Sequence, residues 1–67
     1  MPPQRLATVL KELRQRARLT KTELARQAEI TPSYVSLLES GKRANPSIEV
    51  LKRLAGALGV PVMELLE

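Results

Sequence analysis

The stretch from Thr20 to Gly41 constrains the fold of this chain more than any other, because it contains two helix starts and a helix stop. Thr20 and Glu23 form the Thr-x-x-Glu pattern of a capping box, in which each side chain accepts a hydrogen bond from the other residue's backbone. Thr31 repeats the start, and Pro32 behind it suits the first helical position. Gly41 supplies a left-handed helix end. This stretch therefore predicts two short helices joined by a tight turn.

Apolar residues recur at three- and four-residue intervals on both sides of this stretch, which indicates further amphipathic helices. Ser47 caps one of them and Gly59 ends it. Pro2 and Pro3 are expected to keep residues 1–4 out of the first helix. Pro61 stands where a capping Ser or Asp would be expected, so the last helix should start poorly. We predict one compact all-α domain over residues 1–67, with five helices at about 5–17, 20–28, 31–40, 47–58 and 61–66.

The residues that the chain lacks narrow its chemistry. It has 67 residues with no Cys and no His, so neither a disulfide nor a usual zinc site can stabilise it. The stability of the chain therefore has to come from helix packing. No catalytic set and no phosphate-cradling glycine loop is visible, and Gly56 and Gly59 are too isolated for a nucleotide motif. We therefore expect no enzyme, no cofactor and no metal site.

The net charge of +4 is concentrated in the first third of the chain. Residues 1–26 hold seven Lys or Arg against two Glu, whereas residues 27–67 hold four against five. Such a basic segment can bind nucleic acid or another anionic surface, although it can equally be ordinary solvation. No apolar run is long enough for a membrane span, no signal peptide opens the chain, and the lack of Cys fits a cytoplasmic protein. We expect a cytoplasmic protein with no membrane partner.

Three segments carry a family resemblance: LTKTELARQAEI, TPSYVSLLESGKRANPS and LKRLAGALGVPVMELL. Together they resemble the Cro/repressor type of helix-turn-helix protein, the XRE family of bacterial, archaeal and phage regulators, from about Leu6 to Leu66. The resemblance implies a five-helix lambda-repressor-like fold, sequence-specific binding to double-stranded DNA, and transcriptional regulation with repression as the expected sign. Two residues depart from the family pattern. Glu29 replaces the usual turn Gly, so the turn is expected either to relax or to tolerate a left-handed residue at a cost of about 1 kcal/mol. Leu37 replaces a long polar or basic reader.

The resemblance implies that helix three lies in the major groove while helix two crosses above it. At 100° per residue, Ser33, Ser36 and Leu37 point away from the predicted core. Serine can hydrogen-bond to several bases, and Leu37 could contact a thymine methyl group. A solvated helix face is the alternative interpretation. The expected base-facing residues are Pro32, Ser33, Ser36 and Leu37.

Phosphate contacts are expected at the start of helix two, where open N–H groups and the helix dipole favour an anion, and in the loop after helix three. Thr20 is a cap in any case, the ring of Tyr34 can instead cover the core edge, and the loop can simply be solvated. Arg14 and Glu39 match a pair that joins helices one and three in relatives, so we expect a structural ion pair. The expected phosphate contacts are Thr20, Lys21, Thr22, Tyr34, Lys42, Arg43 and Asn45.

Relatives bind near-palindromic sites as two-fold dimers, so the resemblance also implies a homodimer. The alternative is that the apolar residues near the C-terminal end complete the core of a monomer. The rival function is a protein-binding module on the same fold, such as an antitoxin or an adaptor subunit, which predicts weak DNA binding with little salt dependence. The candidate dimer contacts are Leu58, Val60, Val62, Met63 and Leu66.

Overall fold

The computed structural model describes residues 3–42 and 46–66, and all regular secondary structure in these residues is helical. The five helices confirm the expected all-α fold. Their order along the chain is the predicted one, and the expected tight turn joins the second helix to the third. The helices are α1 (Pro3–Arg16), α2 (Lys21–Ala28), α3 (Pro32–Glu39), α4 (Ile48–Leu58) and α5 (Met63–Leu66).

Three helices begin at a side-chain cap that the sequence predicts. The Thr20 hydroxyl accepts a hydrogen bond from the Glu23 N–H at 3.0 Å, and the Glu23 carboxylate accepts from the Thr20 N–H at 2.8 Å, which completes the capping box. The hydroxyls of Thr31 and Ser47 cap α3 and α4, and each accepts a hydrogen bond at 3.1 Å from the backbone N–H three residues ahead. These bonds satisfy N–H groups that a helix leaves open at its start, and each contributes about 1 kcal/mol.

Each of α1 to α4 ends at a residue with positive φ, in the hydrogen-bonding pattern of a Schellman motif. Gly41 and Gly59 fill this position after α3 and α4, with φ of 80° and 72°. Arg18 and Glu29 fill it after α1 and α2, with φ of 58° and 60°. Glu29 is therefore left-handed, as its place in the family pattern implies, and the turn does not relax around it. The left-handed conformation of Arg18 was not predicted.

The residue after each left-handed position has two roles in the turns before α2 and α3. The N–H of Leu19 reaches back to the Arg14 carbonyl, and the N–H of Ile30 to the Ala25 carbonyl, which closes the preceding helix. Both side chains also pack against the buried core immediately before the threonine that starts the next helix. One apolar residue thus completes one helix and anchors the beginning of another.

Two helix starts differ from the prediction. Helix α1 begins at Pro3 rather than near residue 5. A proline costs nothing in the first turn, because the N–H that it lacks would have no intrahelical partner there. Helix α5 begins at Met63 rather than at Pro61, and residues 61 and 62 form a turn before it. Pro61 has no side-chain acceptor that could cap the open N–H groups.

The helices enclose one core, in which each packs mainly against two others. Following these contacts, the order is α1, α3, α2, α4, α5 and back to α1. Helix α3 therefore lies between α1 and α2. The fully buried large side chains contribute roughly 1.5–3 kcal/mol each. They are Leu6, Leu10, Leu24, Val35, Leu38, Leu54 and Leu65.

Within residues 3–42 and 46–66, no helix is long and apolar enough to cross a membrane. The same residues contain no group of three or more acidic side chains that could hold a metal ion.

We expect Glu29→Gly to stabilise the domain by up to about 1 kcal/mol, because glycine relieves the left-handed strain and loses part of this gain to chain entropy. Urea unfolding followed by circular dichroism measures the change. The control is Lys52→Gly in the exposed middle of α4, which should cost about 1 kcal/mol. A loss of stability in Glu29→Gly would contradict this account of the turn.

Candidate nucleic-acid interface

Helix α3 presents two different sides. Val35 and Leu38 are fully buried between α1 and α2. On the outward side, Pro32 and Ser33 are exposed, whereas Ser36 and Leu37 are partly exposed. On a helix these four residues form two adjacent rows, 32 with 36 and 33 with 37. The structure therefore brings the four predicted base-facing residues together on one small surface, which we call the reading face.

The hydroxyl groups on this side of α3 are not equally available to a ligand. The Ser40 hydroxyl donates to the Leu37 carbonyl at 2.9 Å and so belongs to the helix end. In the described residues, the hydroxyls of Ser33 and Ser36 bond to no protein group. These two hydroxyls can donate to or accept from a ligand. The polar part of the reading face is thus limited to two short side chains.

The N-terminus of α2 combines open donors with one negative charge. Lys21 and Thr22 are exposed, and their backbone N–H groups occupy the first two helical positions, which have no intrahelical acceptor. These donors suit a phosphate oxygen. The Glu23 carboxylate lies at the same helix end, where the hydrogen bond from the Thr20 N–H lowers its pKa. Glu23 is therefore ionised at neutral pH beside the candidate anion site.

The remaining predicted phosphate contacts differ in their surroundings. Tyr34 is partly buried and packs against the core, while its backbone N–H donates to the Thr31 hydroxyl at 3.1 Å. Lys42 is exposed just after α3. Arg43 and Asn45 lie outside the described residues.

Arg14 joins three parts of the chain through a single guanidinium group. Its Nε and Nη2 atoms donate to the Glu39 carboxylate at 2.7 and 3.1 Å, which links α1 to the last residue of α3. Its Nη1 atom donates to the Leu19 carbonyl at 2.9 Å, in the turn before α2. The side chains of Arg14 and Glu39 are only 12% and 4% exposed. Hydrogen bonding to Glu39 raises the pKa of Arg14 against the opposing effect of burial.

Sequence reasoning did not predict the third acceptor of Arg14. The Leu19 carbonyl is a backbone group, and only the left-handed conformation of Arg18 at the end of α1 turns the chain there. No side-chain pattern signals a backbone acceptor. A shallow cleft between α1 and α5 was also unforeseen; it is lined by Arg5, Val9, Glu12, Leu13, Arg16 and Glu64.

The five candidate dimer contacts divide into two groups. Leu58, Val60 and Val62 are partly buried and pack against the core of this chain. Met63 and Leu66 on α5 are 62% and 43% exposed. Of these five residues, Met63 and Leu66 thus offer the most open apolar surface to a second molecule.

Comparison with known proteins gives the same family at the level of sequence and of fold. A family model described as helix-turn-helix matches residues 10–65. The HTH-type transcriptional regulator DdrOP3 of Deinococcus deserti is 44% identical over 63 residues, which cover 94% of this chain and 48% of that protein. The immunity repressor of Bacillus phage phi105 is 40% identical over 53 residues, covering 79% of this chain and 36% of the repressor. The chain thus spans half or less of the length of these two relatives.

A solved structure matches the whole fold. The restriction-modification controller protein C.AhdI of Aeromonas hydrophila superposes with a TM-score of 0.89 at 33% identity. The match covers 94% of each chain. The fold is therefore shared over almost its whole length with a protein chain of similar size.

We expect Arg14→Met and Glu39→Met each to destabilise the domain by about 3 kcal/mol, because each leaves a charge buried without its partner. Thermal unfolding of the two variants measures the loss. The double variant should lose less than the sum, since no charge remains unpaired.

The control pair for this experiment lies on the surface of α4. Arg53 and Glu49 are 2.7 Å apart but 41% and 70% exposed. Arg53→Met should change stability by less than about 0.5 kcal/mol, because water screens such a pair. An unchanged melting temperature in either Arg14→Met or Glu39→Met would remove the structural role assigned to the Arg14–Glu39 pair.

Proposed function

The chain belongs to the XRE-type helix-turn-helix family, and from this membership and the geometry of α3 we propose that it is a sequence-specific DNA-binding transcriptional regulator. The observation that carries the proposal is the reading face. Its side chains are solvent-accessible, its helix is held between α1 and α2, and the guanidinium of Arg14 fixes the helix end. A helix presented in this way fits the major groove of B-DNA.

The geometry supports a division of labour between the two helices of the motif. The reading face of α3 contacts base edges through Pro32, Ser33, Ser36 and Leu37. The open N–H groups at the start of α2 bind a DNA phosphate on one side of the groove, and Lys42 binds the DNA backbone on the other side. The ring of Tyr34 packs against the core, and its hydroxyl contacts a phosphate of the DNA backbone. Arg43 and Asn45 complete the phosphate contacts in this proposal.

We further propose that the protein binds DNA as a homodimer. One short reading face covers few base pairs, and two copies related by two-fold symmetry double the contacts on a near-palindromic site. Exposed Met63 and Leu66 supply the apolar centre of the contact. The partly buried side chains that pack on the core next to α5 complete this contact; they are Leu58, Val60 and Val62.

The biological role that fits is repression of transcription, by occupation of a site that polymerase needs. The phage relative named above is called a repressor, which supports this sign of regulation. A protein acting on DNA in a bacterium, an archaeon or a phage-infected cell works in the cytoplasm, and we place it there.

We expect selection from random DNA to enrich a near-palindromic site with two half-sites about one helical turn apart. Affinity for this site should fall steeply with salt, with a log–log slope of roughly −0.9 for each phosphate contacted. Titration of fluorescent DNA at several salt concentrations measures both. Enrichment of a single half-site would contradict the dimer, and no enrichment at any salt would contradict DNA binding and favour a protein-binding module.

Two variants separate base readout from phosphate contact in the same assay. Ser36→Ala removes a hydroxyl from the reading face and should change which sequences are enriched. Lys42→Ala should weaken binding to all sequences alike and reduce the salt slope by about 0.9. Equal effects of the two variants on sequence preference would contradict the assigned roles.

We expect Glu23→Gln to tighten DNA binding about two- to fivefold at low salt, because it removes a negative charge beside the phosphate site, with a smaller effect at high salt. Glutamine can still accept the hydrogen bond from the Thr20 N–H. The control is Glu12→Gln, which changes the net charge equally but lies at the cleft between α1 and α5. An equal gain in both variants would contradict a phosphate at the start of α2.

The pH dependence of stability checks the cap itself. Folding lowers the pKa of Glu23, so its ionised form stabilises the domain above the ordinary glutamate pKa. This contribution should disappear as the pH falls through the lowered pKa. The difference in melting temperature between the wild type and Glu23→Gln should therefore be largest near neutral pH and vanish in acid.

A further inference from the structure

Apart from the ring of Pro32, Leu37 is the one apolar side chain of α3 that is neither fully buried nor packed against the core. Val35 and Leu38 are fully buried, and the partly buried Tyr34 packs on the core cluster. Leu37 is partly exposed and does not belong to that packing shell in the described residues. Its shape is therefore not needed to fill the interior.

The position of Leu37 is nevertheless well defined. The chain turns back at the end of α3, where the Leu37 carbonyl accepts from the Ser40 hydroxyl at 2.9 Å and from the Lys42 N–H at 3.1 Å. Leucine in a helix also has few rotamers. An apolar group held in place on an accessible surface can contact a ligand with little loss of conformational freedom.

The other members of the reading face discriminate weakly between bases. Ser33 and Ser36 carry hydroxyls that act as donor or acceptor and so fit either kind of base edge. Pro32 has no donor. No side chain on this face carries the two polar groups needed for the two-point contacts by which Arg reads guanine or Asn reads adenine. Base preference beyond what these two hydroxyls supply requires a contact that depends on no paired hydrogen bond.

We propose that Leu37 adds base preference at one position in each half-site, by packing against the C5 methyl group of a thymine in the major groove. This methyl is the apolar group that base edges display there. The inference rests on the proposed DNA-binding function and names the group that the reading face selects. Burial of one methyl corresponds to roughly a fourfold change in affinity.

The test uses the enriched DNA site with each thymine replaced in turn by deoxyuridine, which removes the methyl and retains the base-pairing and acceptor groups. One position in each half-site should lose roughly fourfold in affinity for each protomer that contacts it. Leu37→Ala should lose about as much on thymine DNA and show no further loss at that uracil. Leu37→Met keeps an apolar contact and should remain sensitive to the methyl.

A second arm separates the methyl group from the identity of the base pair. At the sensitive position, cytosine should bind weakly and 5-methylcytosine should recover roughly fourfold, because it places the same methyl in the groove. Leu37→Ala should not distinguish the two. Its melting temperature should stay close to that of the wild type, since Leu37 lies outside the core packing.

The outcomes distinguish this inference from the function on which it rests. Salt-dependent binding to an enriched site with no uracil effect, or with an equal effect in Leu37→Ala, overturns the role of Leu37 and leaves the DNA-binding function intact. Absence of any enriched site overturns both. Ser36→Ala serves as the matched control, because it should alter preference while its sensitivity to the thymine methyl persists.

Discussion

The orientation of α3 depends on the guanidinium of Arg14. Only Val35 and Leu38 of this short helix are fully buried, with Tyr34 packed against the core beside them, and apolar contacts are not directional. Arg14 adds two directional bonds to the Glu39 carboxylate and one to the Leu19 carbonyl. The end of α3, the last turn of α1 and the entry to α2 are thereby fixed to one planar group, whose rigid fork suits this geometry.

The parts of the fold that could be predicted are those decided by neighbouring residues. Thr20, Thr31 and Ser47 act as caps because a short side-chain oxygen reaches an N–H three residues ahead, whatever the rest of the chain does. The start of α1 at Pro3 and the left-handed Arg18 could not be predicted in this way. Arg18 adopts a conformation that arginine disfavours. The backbone bonds of the helix end, the packing of Leu19 and the bond from the Arg14 guanidinium to the Leu19 carbonyl stabilise it.

In the candidate site, too, the features decided by local sequence could be predicted and those that depend on distant contacts could not. Periodicity alone separates the buried side of α3 from its accessible side, so the reading face could be predicted as a group. Periodicity could not show that the Ser40 hydroxyl is used within the helix end, or that Met63 and Leu66 are exposed while Val60 and Val62 pack inward. These differences depend on which neighbouring groups meet in three dimensions. The contacts with DNA and with a second copy remain predictions, and a reading face with such short polar groups leaves much of the selectivity to backbone contacts and DNA shape.

The turns of this domain also determine where its length can change. In Glu29-Ile30-Thr31, three successive residues end one helix, pack on the core and start the next, so none is spare. One inserted residue would separate these roles, so that the helix end, the core contact and the cap could no longer all fall on adjacent residues. Between α3 and α4 the roles fall on distant residues, since Gly41 ends one helix and Ser47 caps the other. We therefore expect insertions and deletions among proteins of this fold to accumulate between α3 and α4, while the α2–α3 turn keeps its length even where its residues vary.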